Sequence, residues 1–179
     1  MSHALSAALR ASSLCRLLSP AEIDAIAGIV EQQNVPAGKD LFREGDPGDG
    51  VYLVISGEIE VVKSGSGAER TLAQLGPGGI LGEMSLLTND TRSATGRARV
   101  ETAVLRLPAA RFRALLTEGS PAALKVTAGL GEVLARRLAA TNAKVIELAE
   151  KLEAVGGSAS AMNEEQLAEL HRTLQVWSF

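Results

Sequence analysis

Two spacings of apolar residues divide the chain. Between positions 35 and 107 the apolar residues fall in short, β-branched runs cut by glycine; on either side they recur every three or four residues. Val51-Tyr52-Leu53-Val54-Ile55 is almost continuously apolar, which predicts a strand covered on both faces. Ile59–Lys63 and Thr71–Leu75 read as a further pair, joined by the loop Ser64-Gly65-Ser66-Gly67, and Arg92–Ala98 and Thr102–Leu107 as two more. Gly45-Asp46-Pro47-Gly48-Asp49-Gly50 and Gly76-Pro77-Gly78-Gly79 are turn clusters. Strands this short and evenly spaced, with no long helix between them, predict an antiparallel barrel or sandwich.

The flanks read as helices. Leu5, Leu9 and Leu14 predict an amphipathic N-terminal helix packed on the domain. The first 20 residues also carry two arginines and no acid, a feature faintly shared with transit peptides. Ser19-Pro20-Ala21-Glu22 combines an N-cap, a proline at the first helical position and a capping-box acid, and predicts a helix to about Gln33. Pro108 ends the strand region, Ala109–Thr117 is a short helix, and Ser120-Pro121 opens a long one that runs to about Val155. Gly129 and Gly131 each cost it about 1 kcal/mol relative to alanine, which predicts fraying or bending there. Leu134, Leu138, Thr141, Val145, Leu148, Leu152 and Val155 step alternately by four and three, a heptad seam. The stripe could pack on the chain's own strands; a parallel two-helix seam, hence a homodimer through 134–155, is the favoured expectation. Thr141 interrupts it, and a hydroxyl in a Leu/Val seam loses stability unless something pairs with it. After Gly156-Gly157-Ser158, Asn163 caps a last segment with Leu167, Leu170, Leu174 and Trp177 on one face, either a docked helix or a lid or partner-binding element. The expected division is 1–120 for the N-terminal helix and strand domain, 121–155 for the long helix, and 156–179 for linker and final helix.

Composition mainly removes options. A chain of 179 residues with net charge −3 and a pI near 5.5 suits one domain plus an accessory element. It can bury roughly 70% of its unfolded surface and needs no staple. Three Phe, one Tyr and one Trp leave a core of Leu, Val, Ile and Ala. Cys15 is the single cysteine, so an internal disulfide and a thiolate metal cluster are excluded. His3 and His171 stand near opposite ends, which disfavours an imidazole metal site. Mild acidity gives no electrostatic case for nucleic acid. No apolar run approaches the ~18 residues of a membrane span, so a cytoplasmic protein with no membrane contact is the default.

The stretch with chemistry is Gly82-Glu83-Met84-Ser85-Leu86-Leu87-Thr88-Asn89-Asp90-Thr91-Arg92-Ser93-Ala94-Thr95. Gly82 permits close backbone approach or positive φ. Glu83–Leu87 fits a single helical turn, whose first amides suit an anion. Arg92 supplies a planar fork that matches phosphate, and Ser93 adds a hydroxyl. A carboxylate beside an anion site makes sense if Glu83 accepts from a sugar hydroxyl. The pattern therefore asks for one phosphate charge next to a ribose hydroxyl. An ion pair between Glu83 and Arg92 across a turn would use the same residues, and spacing does not choose between the two.

Leu75-Gly76-Pro77-Gly78 followed by Gly82–Leu87 and Arg92-Ser93-Ala94 resembles the phosphate-binding cassette of the cyclic nucleotide-binding domain family. Gly45-Asp46 and the Val51–Gly57 run resemble its earlier strands and turns, and the similarity covers roughly residues 14–155. The resemblance implies a mainly β fold, an eight-stranded antiparallel jelly-roll barrel with flanking helices and a long C-terminal dimer helix. It implies a non-enzymatic sensor whose ligand is cAMP, with cGMP less favoured because Ser93, not threonine, follows Arg92. Arg92 would pair with the phosphate, assisted by Ser93 and by amides near Ser85; Gly82 and Glu83 would hold the ribose 2′-hydroxyl. Met84 and Ala94 complete the cassette, and Val61, Leu72 and Leu81 would wall the base. Leu134–Leu138 and Thr141-Asn142 resemble the catabolite-activator subgroup, where Arg137 would brace Glu83 and Thr141 and Asn142 would meet the purine edge. Thr91 stands where many members have proline, and Ile80-Leu81 replaces an aromatic pair. The 24 residues after Val155 are too few for the winged helix-turn-helix of that subgroup, so no nucleic-acid contact is expected and the downstream protein is unknown. Two other readings use the same chain: a dimeric scaffold with a degenerate pocket that docks a partner through Leu167–Trp177, and a cupin-type enzyme, which the lack of a central histidine disfavours.

Overall fold

A computed structural model of the chain describes residues 3–64, 69–88 and 90–154. Gly65–Gly67 of the expected hairpin loop, Val155, and the whole of 156–179 with its Asn163–Trp177 segment fall outside the described residues. The chain divides into two units, Met1–Gly131 and Glu132–Phe179.

The first unit opens with α1 (His3–Ala11), a short 3-10 turn (Ser13–Cys15) and α2 (Pro20–Ala27). Leu9, Leu14, Cys15, Ile23 and Ile26 are buried, so this N-terminal segment packs inward. The capping box forms: the Glu22 amide donates to the Ser19 hydroxyl, and the Ser19 amide donates to the Glu22 carboxylate at 2.6 Å. The helix ends at Ala27, not near Gln33, and Glu31–Val35 is strand β1. The reason is tertiary. Glu31-Gln32-Gln33-Asn34-Val35 has no apolar period, but β8 offers an antiparallel ladder from Glu31↔Arg106 to Val35↔Thr102.

The remaining strands are β2 (Asp40–Phe42), β3 (Gly50–Ser56), β4 (Ile59–Ser64), β5 (Glu69–Leu75), β6 (Ile80–Leu81), β7 (Thr95–Ala98) and β8 (Thr102–Pro108). β7 starts three residues later than expected from Arg92, because the Arg92 backbone pairs with the Gly45–Asp46 turn instead. β2 and β6 carried no signal in the sequence. They form two four-stranded antiparallel sheets, β1-β8-β3-β6 and β2-β7-β4-β5. The arrangement is the expected jelly-roll type, but the barrel is not closed: β6 has two residues and β2 three, too short to carry a ladder from one sheet to the other. The core between the sheets holds Val35, Tyr52, Val54, Ile59, Leu81, Ala98 and Val104, with Leu41, Phe42 and Leu75 against it. β3 is covered from Gly50 to Val54, as its continuous apolar run predicts.

Helix α3 (Glu83–Thr88) lies between β6 and β7, and α4 (Ala109–Thr117) follows β8. Helix α5 (Pro121–Ala154) begins in the first unit, burying Ala122, Ala123, Val126 and Leu130. Lys125 donates to both Glu22 carboxylate oxygens at 2.8 Å, tying α5 to α2. The expected fraying at the glycines does not occur, since α5 stays helical through both. Gly129 has a positive reason instead: a Cβ there would lie 2.7 Å from the Leu14 carbonyl oxygen. In the second unit α5 exposes Leu138 and Ile146, while the Thr141 hydroxyl donates back to the Arg137 carbonyl at 2.9 Å. Among the described residues no helix is long and apolar enough to cross a membrane.

Candidate functional site

The site is built where the Gly45–Gly50 turn meets the segment around Arg92. The Arg92 amide donates to Asp46 O at 2.8 Å, the Gly45 amide donates to Arg92 O at 2.9 Å, and Pro47 bridges Thr91. Glycine is required at two contacts. A Cβ at Gly48 would strike Ser85, and one at Gly82 would strike the Arg92 Nη1. Gly82 also holds φ +82, the left-handed region that other residues adopt only at a cost.

Arg92 is 3% exposed. Its Nη1 donates to Gly82 O at 3.1 Å and to the Ser85 hydroxyl at 2.9 Å. Its Nη2 donates to Asp49 Oδ1 and to Gly50 O, the latter at 2.8 Å. Arg92 therefore does make an ion pair, to a residue of the turn 43 positions upstream. Asp49 also meets Arg106 at 2.8 Å, and Arg106 meets Glu31 at 3.0 Å, which in turn meets Arg111 of α4. Burial alone would raise the Asp49 carboxyl. The Arg92 hydrogen bond, the Arg106 charge and the Tyr52 hydroxyl outweigh it and hold the group below the usual carboxylate range. Tyr52, whose hydroxyl donates to Asp49 at 3.1 Å, is pushed up to about 12 by burial and by the Asp49 charge, and so stays a donor. A guanidinium this deep is held because both of its Nη groups are satisfied; hydrogen bonds to a charged group contribute about 1.5–3 kcal/mol each.

The residues singled out in the sequence fall into three groups. Leu81, Gly82, Glu83, Met84, Ser85, Arg92, Ser93 and Ala94 come together around α3. Glu83 and Ser85 are buried, whereas Met84 is half exposed and the Ser93 hydroxyl donates to its sulfur at 3.8 Å. Lys63 donates to the Ser93 carbonyl at 2.7 Å and to Glu44 at 2.8 Å, tying β4 to the end of the cassette. Val61 and Leu72 lie on the paired strands β4 and β5; Leu72 falls at the register shift between them and is 59% exposed on an edge strand that is exposed from Glu69 to Gln74. Leu81 is 3% exposed and belongs to the core. Arg137, Thr141 and Asn142 lie on the helical unit. Asp49, Tyr52, Arg106 and Phe42 also belong to this network and do not stand out in the sequence. The one available signal was a second aspartate in a glycine-rich turn three residues before the only tyrosine.

The comparisons place this two-sheet jelly-roll, with its buried arginine beside a short helix, in the cyclic nucleotide-binding class. The model of the cyclic nucleotide-binding domain matches residues 32–118. The chain is 39% identical over 132 residues to the cyclic AMP receptor protein of Thermus thermophilus, which is 73% of this chain and 59% of that protein. The crystal structure of the Thermus thermophilus catabolite activator protein superposes with a TM-score of 0.68 at 37% identity, covering 77% of this chain and 63% of that one. A cyclic nucleotide-binding-like protein from Brucella abortus gives a TM-score of 0.55 at 34% identity, and this chain covers 97% of it. The chain belongs to the cyclic nucleotide-binding domain family. It spans about three fifths of its Thermus relative.

Proposed function

We propose that this chain is a cyclic nucleotide sensor that binds cAMP and acts by coupling the bound ligand to its helices, not by catalysis. The observation that carries the reading is the buried Arg92, aligned by Gly82, Ser85, Gly50 and Asp49 inside the cassette. In this reading Arg92 and Ser93 take the cyclic phosphate, Gly82 and Glu83 take the ribose 2′-hydroxyl, and Met84, Ser85 and Ala94 shape the cassette around them. Val61 and Leu72 cover the base, backed by Leu81. The resemblance also implies ligand roles for Arg137, Thr141 and Asn142 of α5, and two copies pair through the 134–155 seam. The name of the Thermus relative supports cAMP as the nucleotide. A ligand shifts such a molecule only as far as its affinities for the two states differ.

Isothermal titration with cAMP and with cGMP tests this directly. Saturable cAMP binding, tighter than cGMP, is expected; tighter cGMP binding reverses the choice of base, and heats at the dilution level for both overturn the sensor reading. Arg92→Ala removes a charge-assisted hydrogen bond to the phosphate, about 1.5–3 kcal/mol, and should weaken cAMP binding about ten- to a hundredfold. Equal affinity in the variant and the parent removes Arg92 from the site.

A further inference from the structure

We propose that Phe42, with Tyr52 on the facing sheet, is a positioning residue for Arg92: an aromatic clamp that sets the plane of the guanidinium and thereby the strength of phosphate binding. The inference rests on the reading of the pocket just given, but its geometry is independent of any ligand. The Arg92 Cζ lies 4.3 Å from the Phe42 ring centroid and 5.4 Å from that of Tyr52. The two rings are 5.6 Å apart with an interplanar angle of 30°. A cation within about 6 Å of a ring centroid is held by the ring quadrupole, and more strongly where water is excluded, as it is around a 3% exposed arginine.

The contact is built, not incidental. Phe42 comes from β2 and Tyr52 from β3, so the clamp joins the two sheets. Gly96, the register partner of Phe42, leaves room for the ring: a Cβ at Gly96 would lie 3.1 Å from Phe42 Cζ. Tyr52 acts twice, since its hydroxyl also holds the Asp49 carboxylate that grips the Nη2.

Counting donors shows why the plane matters. A guanidinium has five N–H groups. The two on Nη1 go to Gly82 O and Ser85, and the two on Nη2 to Asp49 and Gly50 O. The Nε–H is buried with no partner among the described residues. The edges of the group are thus occupied by the protein, and one donor remains to be aimed. The ring faces fix the tilt of that donor. A leucine at 42 would fill much of the volume but present no quadrupole, and the guanidinium could then tilt about its Asp49 edge.

The test uses the full chain in two readouts. In ligand-free protein, the ¹⁵N–¹H resonance of the Arg92 Nε, assigned by its loss in Arg92→Lys, should be shifted upfield by the ring current and exchange slowly. Phe42→Leu should move it most of the way back toward the ordinary position, the more distant Tyr52 ring remaining, and Phe42→Tyr should keep it shifted. In cAMP titrations Phe42→Leu should bind about five- to thirtyfold more weakly, the range set by a desolvated cation–π contact, with Phe42→Tyr close to the parent. Replacing Phe42 by mono-, di- and trifluorophenylalanine keeps the shape while draining the ring face. Affinity should then fall stepwise while the fold is kept, and the melting temperature should fall with it, because the contact is already present without ligand. An unshifted resonance in the parent, or equal cAMP affinity along the fluorinated series, overturns the clamp. A shifted resonance in a protein that binds no cAMP retires the nucleotide reading and leaves the clamp standing.

Discussion

At the scale of single residues, glycines with the same backbone angle do different work. Gly82 and Gly78 hold φ +82 and +84, yet a side chain at Gly82 would strike Arg92, whereas the space around Gly78 is open. Both Gly→Ala changes should therefore lose about 1–2 kcal/mol from the left-handed backbone. Only Gly82→Ala should also weaken cAMP binding, by tenfold or more, because it displaces the guanidinium. Calorimetric titration beside a melting curve for each variant separates the two effects; a Gly78→Ala variant that also lost the ligand would break the argument. Gly82 and Arg92 were legible in the sequence because their chemistry is local to one motif. Asp49 was not, since its meeting with Arg92 depends on how a turn 43 residues away packs against the cassette.

At the scale of elements, α5 carries two glycines of opposite meaning. Gly131 has nothing within 4 Å of a Cβ, so Gly131→Ala should stabilise the protein by up to about 1 kcal/mol through helix propensity. Gly129→Ala should destabilise it, since the new methyl would press on the Leu14 carbonyl, 2.7 Å away. Paired denaturant curves check both signs. The same stretch of α5 is tied down by Lys125, whose hydrogen bonds lower the Glu22 carboxyl from its ordinary 4.5 to about 2, with the Ser19 amide helping. The folded value lies below the unfolded one, so the stability it contributes is complete above about pH 4.5 and drains as the pH falls toward 2. Melting temperatures of the parent and Glu22→Gln should differ at neutral pH and converge near pH 2; a constant gap across that window would disprove the assignment. The capping box and α4 could be read directly, because caps and proline act over one turn of chain. β1, β2 and β6 could not. Their residues are polar or too few to show a period, and they are strands only because a neighbouring ladder accepts them.

At the scale of the whole molecule, the proposed pairing of two copies predicts that sedimentation gives a dimer whose mass falls on dilution. Leu138 is 45% exposed on α5, and Leu138→Glu would place a charge in the seam and should yield monomers at concentrations where the parent is paired. A parent that sediments as a monomer at every concentration removes the seam. The family and the architecture were both visible in the order of motifs, but the closed barrel was not what formed, because strand length at β2 and β6 decides closure and no motif encodes it. The amino-acid sequence by itself determined the caps, the glycine turns, the long buried strand and the cassette, all of which are set by a few adjacent residues. The tertiary structure alone decided which carboxylate meets Arg92, which rings lie over it and why Gly129 must be small. Those partnerships join positions tens of residues apart, and they follow from the sheet registers that burial of the shared core selects.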